Sequence, residues 1–340
     1  MIRIPIHIIV LSLIGILLIS CSSSKEEMGI DLTPPLGFTD IVYPEGNTYT
    51  KARWDLGKQL FYDPILSVDS SLSCASCHKQ EFAFADNEST TPGVLDRPGK
   101  RNAPTLVNVA YLPYVLFEGS VPTLEMQILV PIQEHNEFNH NIVSIANALN
   151  KNEKYVELSQ KAYDRIPDPY VITRAISNFQ RTLISGNSKF DQYYYQNKKS
   201  TFTESEKRGM ELFLGDKAKC SSCHSGFQLT NYAFENNGLY EEYPDEGRIH
   251  FTGLESDEAK FKVPTLRNIE LTAPYMHDGS FNTLIEVIEH YNSGGKNHKN
   301  KSPNLVPLNL TNQEKIDLEA FLKTLTDWEF INNPLFQPHS

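Results

Sequence analysis

Two pentapeptides of one pattern, Cys74-Ala75-Ser76-Cys77-His78 and Cys220-Ser221-Ser222-Cys223-His224, constrain this chain more than any other feature. Two thiols three positions apart, followed at once by an imidazole, suit a porphyrin that carries two vinyl groups and an iron centre. Each thiol adds to one vinyl group, and the adjacent histidine is placed to ligate the iron from the proximal side. The pattern predicts two covalently attached c-type haems and a redox function.

A thioredoxin-like redox pair and half of a zinc site also begin with Cys-x-x-Cys. A redox pair needs no following histidine, and a zinc site closes four ligands in one cluster, whereas these pairs lie far apart. Of five cysteines the motifs use four, which leaves none for a disulfide framework. The fifth, Cys21, ends an N-terminal apolar run.

That run, Ile4 to Ile19, follows Arg3 and is interrupted by Pro5, His7 and Ser12. It is too short and too broken for a membrane span and suits a signal peptide over residues 1–20. Its end, Leu18-Ile19-Ser20-Cys21, resembles a bacterial lipobox, in which the cysteine is acylated and becomes the mature N-terminus. Cys21 is then a lipid anchor and the only membrane contact; a plain signal peptide or an uncleaved anchor is the other reading. Each predicts an exported, periplasmic or cell-envelope protein. Residues 21–45, with Ser22 to Glu27 and Leu32-Thr33-Pro34-Pro35, read as a flexible tether.

With 31 basic and 42 acidic residues, the formal charge is 31 − 42 = −11, and the two signs are interspersed. This balance argues against nucleic acid and anionic lipid surfaces and is compatible with a basic redox partner, or simply with solubility. A mature length of about 320 residues predicts two domains.

An internal repeat gives those domains their outline. Gly57-Lys58-Gln59-Leu60-Phe61 stands ahead of the first haem motif and Gly209-Met210-Glu211-Leu212-Phe213 ahead of the second, each reading as the end of a helix that leads into a haem loop. Pro104-Thr105-Leu106-Val107-Asn108-Val109 matches Pro264-Thr265-Leu266-Arg267-Asn268-Ile269. Gly119-Ser120 and Thr123-Leu124 match Gly279-Ser280 and Thr283-Leu284, at the same offset of 264 − 104 = 160. The expected division falls near Gln196 to Ser200: a first haem domain over 46–197, a second over 198–330, and a tail over 331–340.

The expected fold class is mainly α, with two cytochrome c-like helical domains, one haem each, long loops and little strand. Thr203-Glu204-Ser205-Glu206, Thr283-Leu284-Ile285-Glu286 and Thr311-Asn312-Gln313-Glu314 are capping boxes. In the last helix Ile316, Phe321, Leu322 and Leu325 form an apolar stripe with Leu318 at its margin, and Lys315, Asp317, Glu319 and Lys323 fall largely outside it.

Together with Arg101-Asn102-Ala103-Pro104-Thr105 and Pro274-Tyr275-Met276-His277-Asp278-Gly279, these features mark a chain that resembles the bacterial di-haem cytochrome c peroxidase family, which includes a MauG branch. The resemblance covers roughly Lys51 to Asp327. It implies that the first haem reacts with hydrogen peroxide and the second passes electrons received from a small cytochrome c or cupredoxin. A calcium ion lies between them, with Asn102, Thr272 and Pro274 matching the family's oxygen donors; turn capping is the alternative role for Asn102. A homodimer is compatible with the same family.

Peroxide cleavage needs an open iron position, a group that moves a proton between the oxygens, and a hydrogen-bonding partner. The segment from Leu124 to Phe138 resembles the family's distal segment, with Gln127 as the hydrogen-bonding residue and Glu137 as the acid–base carboxylate; Glu134 and His135 are its rivals. Many relatives carry a displaceable histidine where this chain reads Gly93-Val94-Leu95. Valine cannot ligate iron, so the first haem is expected to be open without prior reduction, as in the MauG branch. Tyr291 falls at the distal position of the second haem, with Met276, His290 and His298 as alternatives. Relatives place a tryptophan between the haems where this chain has Phe117. Phenylalanine is much harder to oxidise, which shifts any relay to direct tunnelling or to Tyr111 or Tyr114. A MauG-like oxidase of a protein or organic substrate, and a carrier that only shuttles electrons, are the competing functions.

Overall fold

In the computed structural model of the chain, residues 30–338 are described; the expected signal segment and Cys21 lie outside them. Each half is built on a crossing of two helices, and a glycine permits each crossing. Lys51–Phe61 opens on the Thr50 cap, and Pro169–Gln180 opens on Asp168 with proline in its first turn. A Cβ at Gly57 would lie 1.9 Å from Ala175 O, so only glycine lets the backbones approach this closely. In the second half Glu204–Leu214 crosses Asn312–Lys323, and a Cβ at Gly209 would lie 1.9 Å from Asp317 O.

The aromatic packing repeats with the glycine. Phe61 and Phe179 stand 5.0 Å apart at 52°, and Phe213 and Phe321 stand 5.0 Å apart at 52°. All four rings are buried in their cores. The sequence repeat is thus a repeat of one helix crossing, and the protein is mainly helical with two cytochrome c-like halves. Among the described residues the only named strands are the two-residue Phe234–Glu235 and Phe261–Lys262, paired antiparallel.

The three expected capping boxes all form, opening Glu204–Leu214, Leu284–Ser293 and Asn312–Lys323. In the last of these the buried face is rotated from the expected one. Leu318, Phe321, Leu322 and Leu325 are buried, but Ile316 is 54% exposed and Asp317 is only 2% exposed. The close approach at Gly209 draws Asp317 inward. There Arg208 donates to both of its oxygens at 2.7 and 2.8 Å and Ser205 donates at 2.6 Å, so the buried carboxylate is fully partnered.

The Pro-Thr-Leu-x-Asn segments tie the halves together. Asn108 and Asn268 both have left-handed backbone. Asn108 exchanges side-chain hydrogen bonds with the backbone of Ser185, while Asn268 Oδ1 accepts from Asp327 N and its amide donates to Ser185 Oγ. Packing contacts cross the expected boundaries. Lys189–Tyr194, placed in the first half by sequence, puts Phe190 and Asp191 into the second half's core, where Arg267 grips Asp191. The expected tail packs back on the first half: Phe336 is buried, Leu335 O accepts from Lys58 Nζ, and Asn333 O accepts from Gln80. The end of the expected tether is also packed, since Phe38 meets Tyr111 and Phe227; Asn47, just beyond it, is wholly buried among hydrogen bonds. In both segments aromatic packing outweighs the turn-forming composition.

Candidate functional site

The two Cys-x-x-Cys-His segments adopt one local structure. Cys74–Cys77 is a single helical turn and Cys220–Ser222 a tighter one; His78 N donates to Cys74 O at 3.0 Å and His224 N to Cys220 O at 2.9 Å. Each ring then finds a backbone carbonyl, with His78 Nδ1 2.9 Å from Phe84 O and His224 Nδ1 3.1 Å from Leu229 O. A carbonyl only accepts, so Nδ1 carries the proton and Nε2 keeps a lone pair for iron. Burial lowers both imidazole pKa values, that of His224 to about 4, so both rings are neutral. The Pro-Thr repeat steadies these turns: Thr105 Oγ1 donates to Ala83 O, and Thr265 Oγ1 to Gln228 O at 2.7 Å.

Burial pushes the Cys74 and Cys220 thiols up to about 12 and Cys77 to about 11, opposite to a reactive redox pair. Among the described residues no three or more His, Cys, Asp or Glu gather as a metal shell. Each histidine thus stands alone with its own thiol pair, an arrangement that fits a haem.

Around the first site, the Leu124–Gln127 helix carries Gln127, and Leu129–Gln133 leads on to Glu137. Phe138 N and His140 N fold back to Pro131 O and Ile132 O, turning the Glu134–Asn139 loop toward the haem motif. Val94 is fully buried and its N–H donates to Glu137 O at 2.9 Å; a Cβ at Gly93 would lie 1.9 Å from Asn136 O. The residues standing where many relatives have histidine are therefore fastened to the loop that bears Glu137. Glu137 is solvent-exposed as a residue, yet the atoms packed around its carboxyl raise its pKa; Glu134 adds to this and Lys100 opposes it. Its charge also contributes, after burial and Asp86, to raising the Cys77 pKa. Of the two rivals, His135 is exposed and meets Arg97 and Asn139, and Glu134 lies 4.0 Å from Lys100 and close enough to Glu137 to act on it.

Two carboxylates that sequence reasoning passed over also shape this site. Asp86 is completely buried beside Cys77 and His78, held by Lys79 at 2.7 Å and Thr91 at 2.6 Å. The lysine directly after the haem motif was its one sequence signal. Glu125, two residues before Gln127, is bound by Arg181, Asn47 and Ser177.

Around the second site, the Tyr291 hydroxyl is buried, and its pKa is pushed up to about 12 by that burial and by the nearby Cys220, Cys223 and Tyr243, against a hydrogen bond from Asn237. Met276 Sδ accepts from Asn237 Nδ2 at 3.1 Å, so Asn237 brings both candidate ligands to one place. His290 Nε2 is engaged by Asn237 O at 2.8 Å, and His298 Nδ1 accepts from Asn300 N.

Between the halves, Arg101 donates to both oxygens of Asp245 at 2.6 and 3.0 Å and lies 5.7 Å from the Phe117 ring and 5.6 Å from Phe261. Phe261 stacks on His277 at 4.1 Å. Asn102 N donates to His277 O at 2.8 Å and its Nδ2 to Glu88 O, which leaves Oδ1 as a free acceptor beside the loop that contains Thr272 and Pro274. Thr272 Oγ1 turns toward Ile269 O in its own loop. Tyr111 packs with Phe38 and Phe227, and Tyr114 is 46% exposed against Phe234.

Two helical halves, each presenting a buried neutral histidine beside a thiol pair, define a two-haem c-type cytochrome. The signature of the family described as "Di-haem cytochrome c peroxidase" matches residues 51–199, and that of "Cytochrome c" matches residues 206–326. The methylamine utilization protein MauG of Methylorubrum extorquens is 33% identical over 84% of this chain and 81% of its own length. Cytochrome-c peroxidase IdrP1 of a Pseudomonas species is 34% identical over 87% of this chain and 86% of its own. The crystal structure of a MauG-like protein associated with microbial copper homeostasis superposes with a TM-score of 0.83 at 34% identity, over 92% of this chain and 98% of that one. The chain belongs to the di-haem cytochrome c peroxidase and MauG family.

Proposed function

We propose that the protein is an exported peroxidase that reduces hydrogen peroxide to two waters, with two electrons delivered singly by a small redox protein and two protons. The observation that carries this reading is the fastening of Val94 to the Glu137 loop: a carboxyl at the haem motif, and no ligating side chain where one would close the site. When bound, the haem at His78 supplies an iron that accepts an oxygen of peroxide and the electrons that cleave the O–O bond.

The chain's own residues do the rest. Glu137, its carboxyl raised by burial and by Glu134, takes the proton from the inner oxygen and returns it to the outer one, which then leaves as water. Gln127 offers an amide to hold the outer oxygen, on a helix whose Thr123 cap and Glu125–Arg181 pair fix its direction. Tyr291 would hold the second haem's iron, and Asn102 Oδ1 with oxygens of Thr272 and Pro274 would hold a calcium ion, a hard-oxygen donor set suited to that ion. The tie from Asn102 to His277 supports this grouping. The acidic surface suits a basic donor protein. Cys21 anchors the protein to a cell-envelope membrane.

A stopped-flow peroxide titration of ferric and half-reduced holoprotein tests this reading. Fast reaction of the fully ferric form supports it, and no reaction in either state leaves an electron carrier. Tyr291 favours a second reading, a MauG-like oxidase, because a phenol ligand stabilises oxidised iron; a long-lived doubly oxidised state in the same titration would select it.

A further inference from the structure

Tyr243 is placed between the second haem site and the surface. Its hydroxyl donates to Asn237 Oδ1 at 3.2 Å and Asn236 Oδ1 at 3.3 Å and accepts from Leu239 N at 2.7 Å. Asn237 also meets the Tyr291 hydroxyl, and Tyr243 lies close enough to Tyr291 for their charges to interact. On its outer side the Tyr243 ring meets the Tyr240 ring, 5.4 Å away at 81°. The Tyr240 hydroxyl donates to Asp278 Oδ2 at 2.6 Å, and Ser280 N holds the other carboxylate oxygen at 3.2 Å. Tyr240 is partly exposed, and Glu241 and Glu242 beside it are exposed. The line therefore runs Tyr291, Tyr243, Tyr240, surface.

Only one of these phenols has a base. Oxidised tyrosine is a strong acid, so it loses an electron readily only where its proton leaves at the same time to a positioned acceptor. The amide oxygens that meet Tyr243 are very weak bases, whereas the Asp278 carboxylate at Tyr240, whose pKa burial raises but hydrogen bonds from Tyr240 and Ser280 bring down, is far more basic than an oxidised phenol and accepts its proton. The hydrogen bond to Asp278 is also the main cause of the raised Tyr240 pKa, so the proton stays on the phenol until the electron goes.

We propose that Tyr240, with Asp278 as its proton acceptor, is a surface redox site at which the oxidised protein takes single electrons from a reducing substrate of neutral or positive charge. This rests on the peroxide reading, which supplies the oxidant. One electron leaves Tyr240 through Tyr243 and Tyr291 to the oxidised haem held by His224, and the proton moves to Asp278. A reductant then returns one electron to the Tyr240 radical, and Asp278 returns the proton. Two such turnovers use the two oxidising equivalents of one peroxide. The acidic Glu241 and Glu242 disfavour anionic reductants, and a phenol that bears an ammonium group, such as tyramine, is the matching probe.

The test is electron paramagnetic resonance of ferric holoprotein frozen after mixing with peroxide, with the haem bands followed optically on the same samples. The expected result is a radical signal that narrows when the tyrosines are ring-deuterated, falls about tenfold in Tyr240→Phe, and forms about a hundredfold more slowly in Asp278→Asn, the low end for loss of a proton-transfer group. The haem bands should respond alike in all three proteins. Tyramine should quench the signal faster than an anionic phenol. If the haem bands respond and the signal is absent, or survives unchanged in Tyr240→Phe, the proposal is overturned. If the haem bands do not respond, the peroxide reading fails by itself; photochemical oxidation by a ruthenium(III) complex then decides on Tyr240, through the same loss of signal in Tyr240→Phe or its persistence.

Discussion

Arg181 holds Glu125 through two guanidinium nitrogens, at 2.7 and 2.8 Å, with Asn47 and Ser177 completing the carboxylate's shell. Burial alone would raise the Glu125 pKa, but Arg181 and Asn47 outweigh it and bring the group down from 4.5 to about 2. A shift of that size is worth about 3 kcal/mol of stability. Because the folded pKa lies below the unfolded one, the contribution is complete above about pH 4.5 and is lost as pH falls through about 2. Glu125→Gln should cost about this much at neutral pH, and its deficit against the parent should shrink steadily between pH 5 and pH 3. Urea unfolding across that range measures it; parallel losses in the two proteins would show that the pair is not coupled to folding.

Gly93 offers a way to move Glu137 without touching it. A side chain at 93 collides with Asn136 O, the backbone just before Glu137. Gly93→Ala should therefore slow the peroxide step while leaving both haems attached and the His224 haem spectrum unchanged. Glu137→Gln should slow the same step by about 10²–10⁴-fold, the usual effect of losing a general acid–base group. Stopped-flow rates compare the two, and a Glu137→Gln rate equal to that of the parent would pass the role to another group.

The repeat and the caps were legible in the sequence because local chemistry fixes them: threonine hydroxyls close each capping box, and the glycine ahead of each haem motif marks a helix crossing. What the sequence hid was long-range. Nothing near Asp317 shows that Arg208 will draw it inward, and nothing near Phe336 shows that it will pack against Phe84 and Phe179 at 6.2 and 6.4 Å in the other half. The distal roles proposed for Gln127 and Glu137 come only through resemblance, since an isolated carboxylate on a loop carries no local sign of a haem. Nothing near Asp278 shows that the Tyr240 hydroxyl, 38 residues earlier, will donate to it.

The boundary between the halves is held by a buried ion pair. Arg267 and Asp191 have side chains 1% exposed and are joined by two hydrogen bonds of 2.9 and 3.0 Å, with a third from Arg267 Nε to Phe227 O. Arg267→Met strands the carboxylate in a dry site and should cost roughly 3–5 kcal/mol, whereas adding Asp191→Asn should restore part of the loss. Denaturant unfolding of the single and double variants gives the coupling; strictly additive effects would mean that the two charges do not depend on each other.

Phe117 stands where a more oxidisable ring would connect the halves. Its backbone carbonyl accepts from Lys262 N at 2.6 Å, and its ring lies 6.5 Å from Phe261, below Arg101. Arg101 would oppose a positive hole there, but Asp245 and Glu118 neutralise it. Phe117→Trp should therefore be tolerated, keep the cation over the ring, and speed electron transfer between the haems. Flash photolysis of the half-reduced protein reads that rate directly. A rate unchanged by tryptophan would remove residue 117 from the route and leave the transfer to tunnelling between the haem edges.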